Sequence, residues 1–256
     1  LLRENIYLRL VMAASFSAPL IERIGGLPFI VHLWGGTGTG KTVALCVAAS
    51  VWGKGAYNNN ALIQSFRGTE YALSEKAAFL YSLPVIIDEG QTVKNKDDFD
   101  TLIMNLTEGK GKIQGSASGG IKKLRHWANC FITTAEENII KYNSGGGTSN
   151  RIINIAAQSK IINDGHITMQ IIRDNYGFAG KKYIEYIKKL PLEQLKNRYD
   201  DLFAKLKDNT DSTDKQLMAM TFLLLSDELS EQCIFKGEKH LSIENIKPFL
   251  TSQKEI

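Results

Sequence analysis

Cysteine is scarce: Cys46, Cys130 and Cys233 are the only three, far apart and without a C-x-x-C pair. An odd, unclustered set supports neither a disulfide framework nor a zinc site, and it fits a reducing compartment, so a cytoplasmic protein is expected. Histidine is nearly as sparse. His32, His126, His166 and His240 form no H-E-x-x-H and no spaced pair, which argues against a metalloprotease or a histidine-centred triad. No long apolar run is present either. The stretch from Leu10 to Ile21 holds two serines and a proline between Arg9 and Glu22, well short of the ~20 residues a bilayer span requires, so no membrane partner is expected. Nor does one sign of charge dominate: 31 Lys and Arg against 27 Asp and Glu leave +4, too mild to demand a nucleic-acid partner yet compatible with a local basic surface.

What is there suffices for a globular core. The 256 residues are 43% hydrophobic, enough for one large domain or two small ones. The chain opens on Leu1 without methionine, which suggests a piece of something longer. Residues 2–24 carry apolar side chains at helical spacing and end at Gly25-Gly26. Beyond them the period changes. The runs at 27–34, 61–66, 83–89, 129–135 and 151–156 are short, rich in Ile, Val and Phe, and bounded by turn residues, as buried strands are. Helical stretches at 41–53, 70–81 and 97–108 separate them, so a parallel sheet covered on both faces is expected. From about Gly180 onward the pattern is that of amphipathic helices. The expected organisation is a helical lead-in at 1–25, an α/β core at 26–179 and a helical C-terminal subdomain at 180–256.

The chemistry concentrates at G-G-T-G-T-G-K-T, Gly35 to Thr42, between a strand and a helix. Glycines at Gly35, Gly36, Gly38 and Gly40, spaced by Thr37 and Thr39, let successive backbone N–H groups converge on phosphate oxygens. Lys41 would neutralise the β and γ phosphates, and the Thr42 hydroxyl would reach Mg²⁺. A metal-bound nucleotide also needs a carboxylate. Asp88 and Glu89 end the apolar run Leu-Pro-Val-Ile-Ile, on the sheet edge that carries the glycine turn, so Asp88 would hold the metal and Glu89 would orient the attacking water. The strand at 129–135 ends in Thr133 and Thr134, either of which could meet the γ-phosphate or the water, with Thr134 preferred. Arg151, after a glycine-rich loop and before a strand, suits either transition-state charge in a neighbouring subunit or a surface ion pair. Two short segments around Ser116 to Gly120 suggest a hairpin over 110–125 bearing Lys110, Lys112, Lys122, Lys123 and Arg125. Such lysines serve phosphate contacts with DNA, or blunt an exposed edge.

In order, G-G-T-G-T-G-K-T, the R-G-T-E-Y-A-L-S-E-K stretch running into I-I-D-E, L-T-E-G-K-G-K-I-Q-G, F-I-T-T-A-E-E and S-N-R-I-I-N-I resemble the ATPase core of the replicative helicases of plasmids, phages and mobile cassette elements. That family is related to the minichromosome-maintenance (MCM) branch of AAA+ proteins, and the likeness is strongest to the Cch-type helicases of staphylococcal cassette chromosomes, over roughly residues 5–180. The resemblance implies a P-loop NTPase (AAA+) α/β fold followed by a helical lid, and a hexameric ring that hydrolyses ATP with Mg²⁺ between subunits and moves on single-stranded or forked DNA. By position it makes Thr134 the first sensor, Arg151 an arginine finger acting in trans, and Lys112, Lys122 and Lys123 the DNA contacts, with Lys122 and Lys123 leading. The second sensor falls on no single position; Arg173, Arg198 and Lys215 compete. The same motifs would also serve an ATP-dependent assembly switch or loader on DNA with little turnover, against which Glu89 beside Asp88 weighs.

Overall fold

Five apolar runs form one wholly parallel sheet, in the order β2-β3-β4-β1-β5. The strands are β1 (Phe29–Trp34), β2 (Ile63–Ser65), β3 (Val85–Asp88), β4 (Cys130–Ala135) and β5 (Ile152–Ala156). The computed structural model describes residues 4–55, 62–65, 70–88, 96–111, 124–140, 146–237 and 240–252. Successive side chains of a strand point to opposite faces, and here both faces are apolar. Phe29, Val31, Leu33, Cys130, Ile132, Ile153 and Ile155 pack into the larger core, beneath α1 (Ile6–Ile24), α2 (Lys41–Ser50) and the C-terminal helices. Ile30, Val85, Ile87, Phe131 and Ile152 pack into the smaller one, beneath α3 (Glu70–Leu80) and α4 (Lys96–Thr107). This is the parallel sheet between helical layers of a P-loop NTPase fold, with a helical C-terminal part. A one-turn helix, α5 (Gly146–Ser149), precedes β5; beyond β5 come α6 (Gly165–Asp174), α7 (Phe178–Lys189), α8 (Leu192–Asn209), α9 (Asp214–Ser230) and the short α10 (Ile243–Ile246). Among the described residues no helix is long and apolar enough to cross a membrane.

α1 is specified locally at both ends. The Asn5 side chain accepts from the N–H groups of Tyr7 and Leu8, and Gly25 closes the helix at φ 97°, a conformation that suits glycine. Pro19 lies inside this helix and has no N–H for the carbonyl of Ser15 one turn earlier. Trp52, just past α2, supplies one instead: its indole Nε1 donates to Ser15 O at 3.3 Å and to Ser15 Oγ at 2.9 Å, while Ser15 Oγ donates to Ala48 O at 2.8 Å. The helix that begins at Lys41 is thereby anchored at its far end.

α1 also packs along α9, and one ion cluster fixes their pairing. Arg9 donates to both oxygens of Asp227 at 2.8 Å and to Glu231 at 3.2 Å, and both acids are almost wholly buried. Backbone donors complete the cluster: Leu241 N donates to Asp227 Oδ2, which Arg9 also contacts, and Gly237 N donates to the second oxygen of Glu231. No helix is expected over 165–174, where Ile167, Thr168, Ile171 and Ile172 weaken helical propensity; α6 forms because the Asp164 side chain caps it through Ile167 N and because Thr168 and Ile172 bury against α2.

Removing Arg9 leaves two carboxylates buried without their guanidinium. Arg9→Ala should cost about 3–5 kcal/mol in urea unfolding. The exposed pair Lys207 and Asp214 offers the contrast: Lys207→Ala should stay within about 0.5 kcal/mol.

Candidate nucleotide-binding site

The carboxyl ends of β1, β3 and β4 meet at one edge of the sheet, and the glycine turn rises from the end of β1. Its frame is backbone. Gly35 N donates to Ala135 O, Ala157 N donates to Trp34 O at 2.7 Å, and Ile161 N donates to Thr39 O at 2.8 Å, which suspends the turn between the ends of β4 and β5. Gly35 sits at φ +153°, and a Cβ there would come within 2.7 Å of Ala157 O. Gly40, the residue before α2, has φ +93°. Side chains are therefore excluded where the turn bends most sharply.

A cavity of about 410 Å³ opens over the turn. Thr37, Gly38, Gly40, Lys41 and Thr42 line it, facing Asp88, Thr134 and Glu136. Gly35, Gly36 and Thr39 belong to the frame: Thr39 Oγ1 donates to Gly36 O at 3.0 Å. Lys41 Nζ donates to Gly35 O at 2.7 Å and to Gly36 O at 2.8 Å, which holds the ammonium over the turn. Its pKa is lowered by desolvation, against which the charges of Glu136 and Asp88 act. Asp88, 5% exposed, is the centre of the cluster. Thr42 Oγ1 donates to one of its oxygens at 2.9 Å, and Thr134 Oγ1 donates to the other in a short hydrogen bond.

The alternation along β4 separates the two threonines. Thr134 faces Asp88 and the cavity, whereas Thr133 turns to the opposite face, where its hydroxyl meets His32 Nδ1 at 2.8 Å. His32 is wholly buried between β4 and β5, and desolvation lowers its pKa to about 3, so it is a neutral core histidine. Glu136, which accepts from Thr37 Oγ1 at 2.7 Å, and Lys160 also border the cavity, and neither is expected there from the sequence. The signal for Glu136 was the acid pair directly after a strand already read as part of the site; Lys160 carried none.

Other expected groups fall elsewhere. Glu89, Lys112, Lys122 and Lys123 lie outside the described residues. The base of the expected hairpin is described: Lys110 and His126 form an antiparallel bridge, and Gly111 N donates to Arg125 O at 2.9 Å. Arg125 pairs with Glu75 and lies 5.5 Å from the ring centre of Tyr71, so it is held against α3. Arg151 precedes β5 at the sheet edge opposite the glycine turn, roughly 20 Å along the strand from it, and donates to Gly147 O at 2.5 Å. It does not reach the cavity of its own chain. Of the second-sensor candidates none lines that cavity: Arg198 is engaged with Glu228 at 2.7 Å, Arg173 is near Asp174, and Lys215 lies beside Arg151.

The donor set fits a magnesium–nucleotide complex. Mg²⁺ takes hard oxygen ligands, commonly one or two from protein with the rest from phosphates and water. Thr42 and Asp88 supply such oxygens, and no cluster of three or more metal-binding side chains occurs among the described residues. Gly38 and Gly40, at φ +81° and +93°, line the cavity with bare backbone, which suits phosphates.

Comparison with known proteins agrees with this architecture. A family model described as "Domain of unknown function (DUF927)" matches residues 1–126, a little under half of the chain. The fold is similar to that of the solved structure described as "SCCmec type IV Cch, active helicase", with a TM-score of 0.70 and 21% sequence identity. The likeness covers 95% of this chain and 46% of that one, so the present chain spans less than half of the other's length. No curated protein matches it. At this identity the likeness establishes the fold, and the resemblance to a Cch-type helicase holds at that level.

Neutral burial of His32 has a measurable consequence. Its folded pKa is about 3 against an ordinary 6.5, so between these values the unfolded chain binds a proton that the native state refuses. This group therefore makes stability fall as pH drops below 6.5, by up to about 1.4 kcal/mol per pH unit, and contributes no slope above it. Urea unfolding at about pH 7 and about pH 5 should show His32→Gln less acid-sensitive than the wild type by roughly this one-proton slope.

Proposed function

We propose that this chain is the ATP-hydrolysing motor of a DNA helicase from a mobile genetic element, acting in a ring whose active sites are shared between copies. The observation that carries the reading is the convergence of Lys41, Thr42, Asp88 and Thr134 at the carboxyl edge of a parallel P-loop sheet. The helicase of the same fold supports it. In this reading the amides of the turn bind the phosphates of ATP, and Lys41 offsets their charge. Thr42 and Asp88 hold Mg²⁺, which when bound supplies positive charge to the phosphate oxygens as the terminal bond breaks. Thr134, bonded to Asp88, senses the γ-phosphate from the same carboxylate. Glu89, next along the chain, orients the attacking water.

Arg151, at the far end of β5, serves the site of a neighbouring copy, where an arginine stabilises transition-state charge. Lys112, Lys122 and Lys123, between the paired ends of the hairpin at Lys110 and His126, contact the DNA backbone without reading sequence.

ATP turnover stimulated by single-stranded DNA tests the reading. Lys41→Ala and Glu89→Gln should each abolish turnover, and Arg151→Ala should lower it about a thousandfold. Mixing Arg151→Ala with Glu89→Gln chains should restore part of the activity, because one of the mixed interfaces keeps both intact groups. Charge reversal at Lys122 and Lys123 should remove DNA binding while ATP binding persists. Unchanged turnover in both Lys41→Ala and Glu89→Gln would remove the proposed site, and a single bound-ATP turnover without cycling would favour the loader.

A further inference from the structure

Lys160 is a cation of the nucleotide cavity to which the ATPase reading gives no task. Its side chain is exposed and makes no hydrogen bond or ion pair among the described residues, whereas the ammonium of Lys41 is already bonded to Gly35 O and Gly36 O. The backbone that carries Lys160 is fixed. The peptide unit joining it to Ile161 is held from both sides: its carbonyl accepts from Asn5 Nδ2 at 3.3 Å, and its N–H donates to Thr39 O of the glycine turn at 2.8 Å. The same Asn5 side chain caps α1 through its oxygen. Ile161 and Ile162, the next two residues, are buried, and a Cβ on Gly40 would stand 3.4 Å from Ile162, so this segment lies directly against the turn. A long, flexible cationic side chain thus starts from a backbone tied to the turn, which lowers the entropy lost when a ligand fixes it there.

Strand order says which part of the nucleotide it meets. In the order β3-β4-β1-β5, Asp88 and Thr134 stand at the ends of β3 and β4 on one side of the turn, and Glu136 follows β4 on that same side. Lys160, Ile162 and Gly165 follow β5, on the other side. With the metal and the γ-phosphate at Asp88 and Thr134, a phosphate chain laid over the first turn of α2 has its α-phosphate and nucleoside towards β5. Val43, Ile162 and Gly165 give that end of the cavity an apolar wall, and Lys160 gives it a positive charge. The carboxylates that line the cavity, Asp88 and Glu136, belong to the far end. Asp164, the nearest acid along the β5 segment, accepts from Ile167 N at 2.9 Å to cap α6 and does not line the cavity.

We infer that Lys160 is a further nucleotide-binding residue, whose ammonium holds the α-phosphate at the β5 end of the cavity. The inference rests on the ATPase reading above and adds to it a contact made within the same chain. ATP and ADP both carry an α-phosphate, so the ammonium binds the two alike. A contact of equal strength before and after cleavage contributes affinity and not rate. Lys41, by contrast, sits where the β and γ phosphates lie, and its charge acts on the bond that breaks.

Calorimetric titration of the full chain tests this, with Mg²⁺ present and with ADP or a non-hydrolysable ATP analogue as the ligand. Lys160→Ala should weaken both nucleotides by the same factor, about tenfold, and Lys160→Arg, which keeps the charge, should recover most of it. In steady-state turnover the KM for ATP should rise by that factor, far more than kcat falls. The urea midpoint of Lys160→Ala should stay close to wild type, because the side chain is exposed. A loss confined to the triphosphate analogue would move the ammonium to the γ-phosphate and overturn the assignment, and so would wild-type affinity for both nucleotides in Lys160→Ala. In either case, nucleotide binding by the wild type that Lys41→Ala weakens leaves the ATPase reading standing. A wild type that binds neither nucleotide overturns both.

Discussion

The carboxylate of Asp88, holding the hydroxyl of Thr42 on one oxygen and that of Thr134 on the other, is the interaction from which the rest of the site follows. It ties the first turn of α2, the end of β3 and the end of β4 into one rigid corner. An ionised carboxylate only accepts hydrogen bonds, and two hydroxyl donors satisfy it where water scarcely reaches. Both hydroxyl oxygens keep lone pairs, and both threonines border the cavity. The corner is therefore both a structural joint and a chemical one.

The corner is held in place by what lies under it. The sheet is apolar on both faces, so its strands cannot slip register without driving Ile, Val and Phe side chains to the wrong layer. α2 is anchored at its far end through Trp52 and Ser15, at the carbonyl that Pro19 leaves without its helical partner. α1 is in turn fixed to α9 by Arg9 between Asp227 and Glu231. A chain of contacts thus runs from the nucleotide edge through α2 and α1 into the C-terminal helices, which would connect changes at the cavity with the helical part.

Much of this was legible in the sequence. Strands buried on both faces read as unbroken apolar runs, and the glycine turn, Asp88 and Thr134 fall at their carboxyl ends, where a parallel sheet gathers its ligand. The sequence prefers Thr134 to Thr133 by little, because both are β-branched hydroxyl residues; strand alternation sends Thr133 to His32 and Thr134 to Asp88. α6 escaped notice because its β-branched residues mask a helical period that only the Asp164 cap and the burial of Thr168 and Ile172 enforce. The pairing of Arg125 with Glu75 joins residues far apart in sequence, which no local pattern encodes. Glu136 and Lys160 join the cavity through the path of loops beyond β4 and β5, which no local pattern encodes.

The central claim is that Asp88 and Thr42 jointly hold a magnesium ion on a nucleoside triphosphate. Equilibrium binding of a fluorescent ATP analogue, measured with Mg²⁺ and with a chelator present, addresses it most directly. The account predicts tighter binding with Mg²⁺ in the wild type and loss of that difference in Asp88→Ala and in Thr42→Val. Wild-type binding indifferent to Mg²⁺, or a magnesium dependence that survives in both variants, would contradict it.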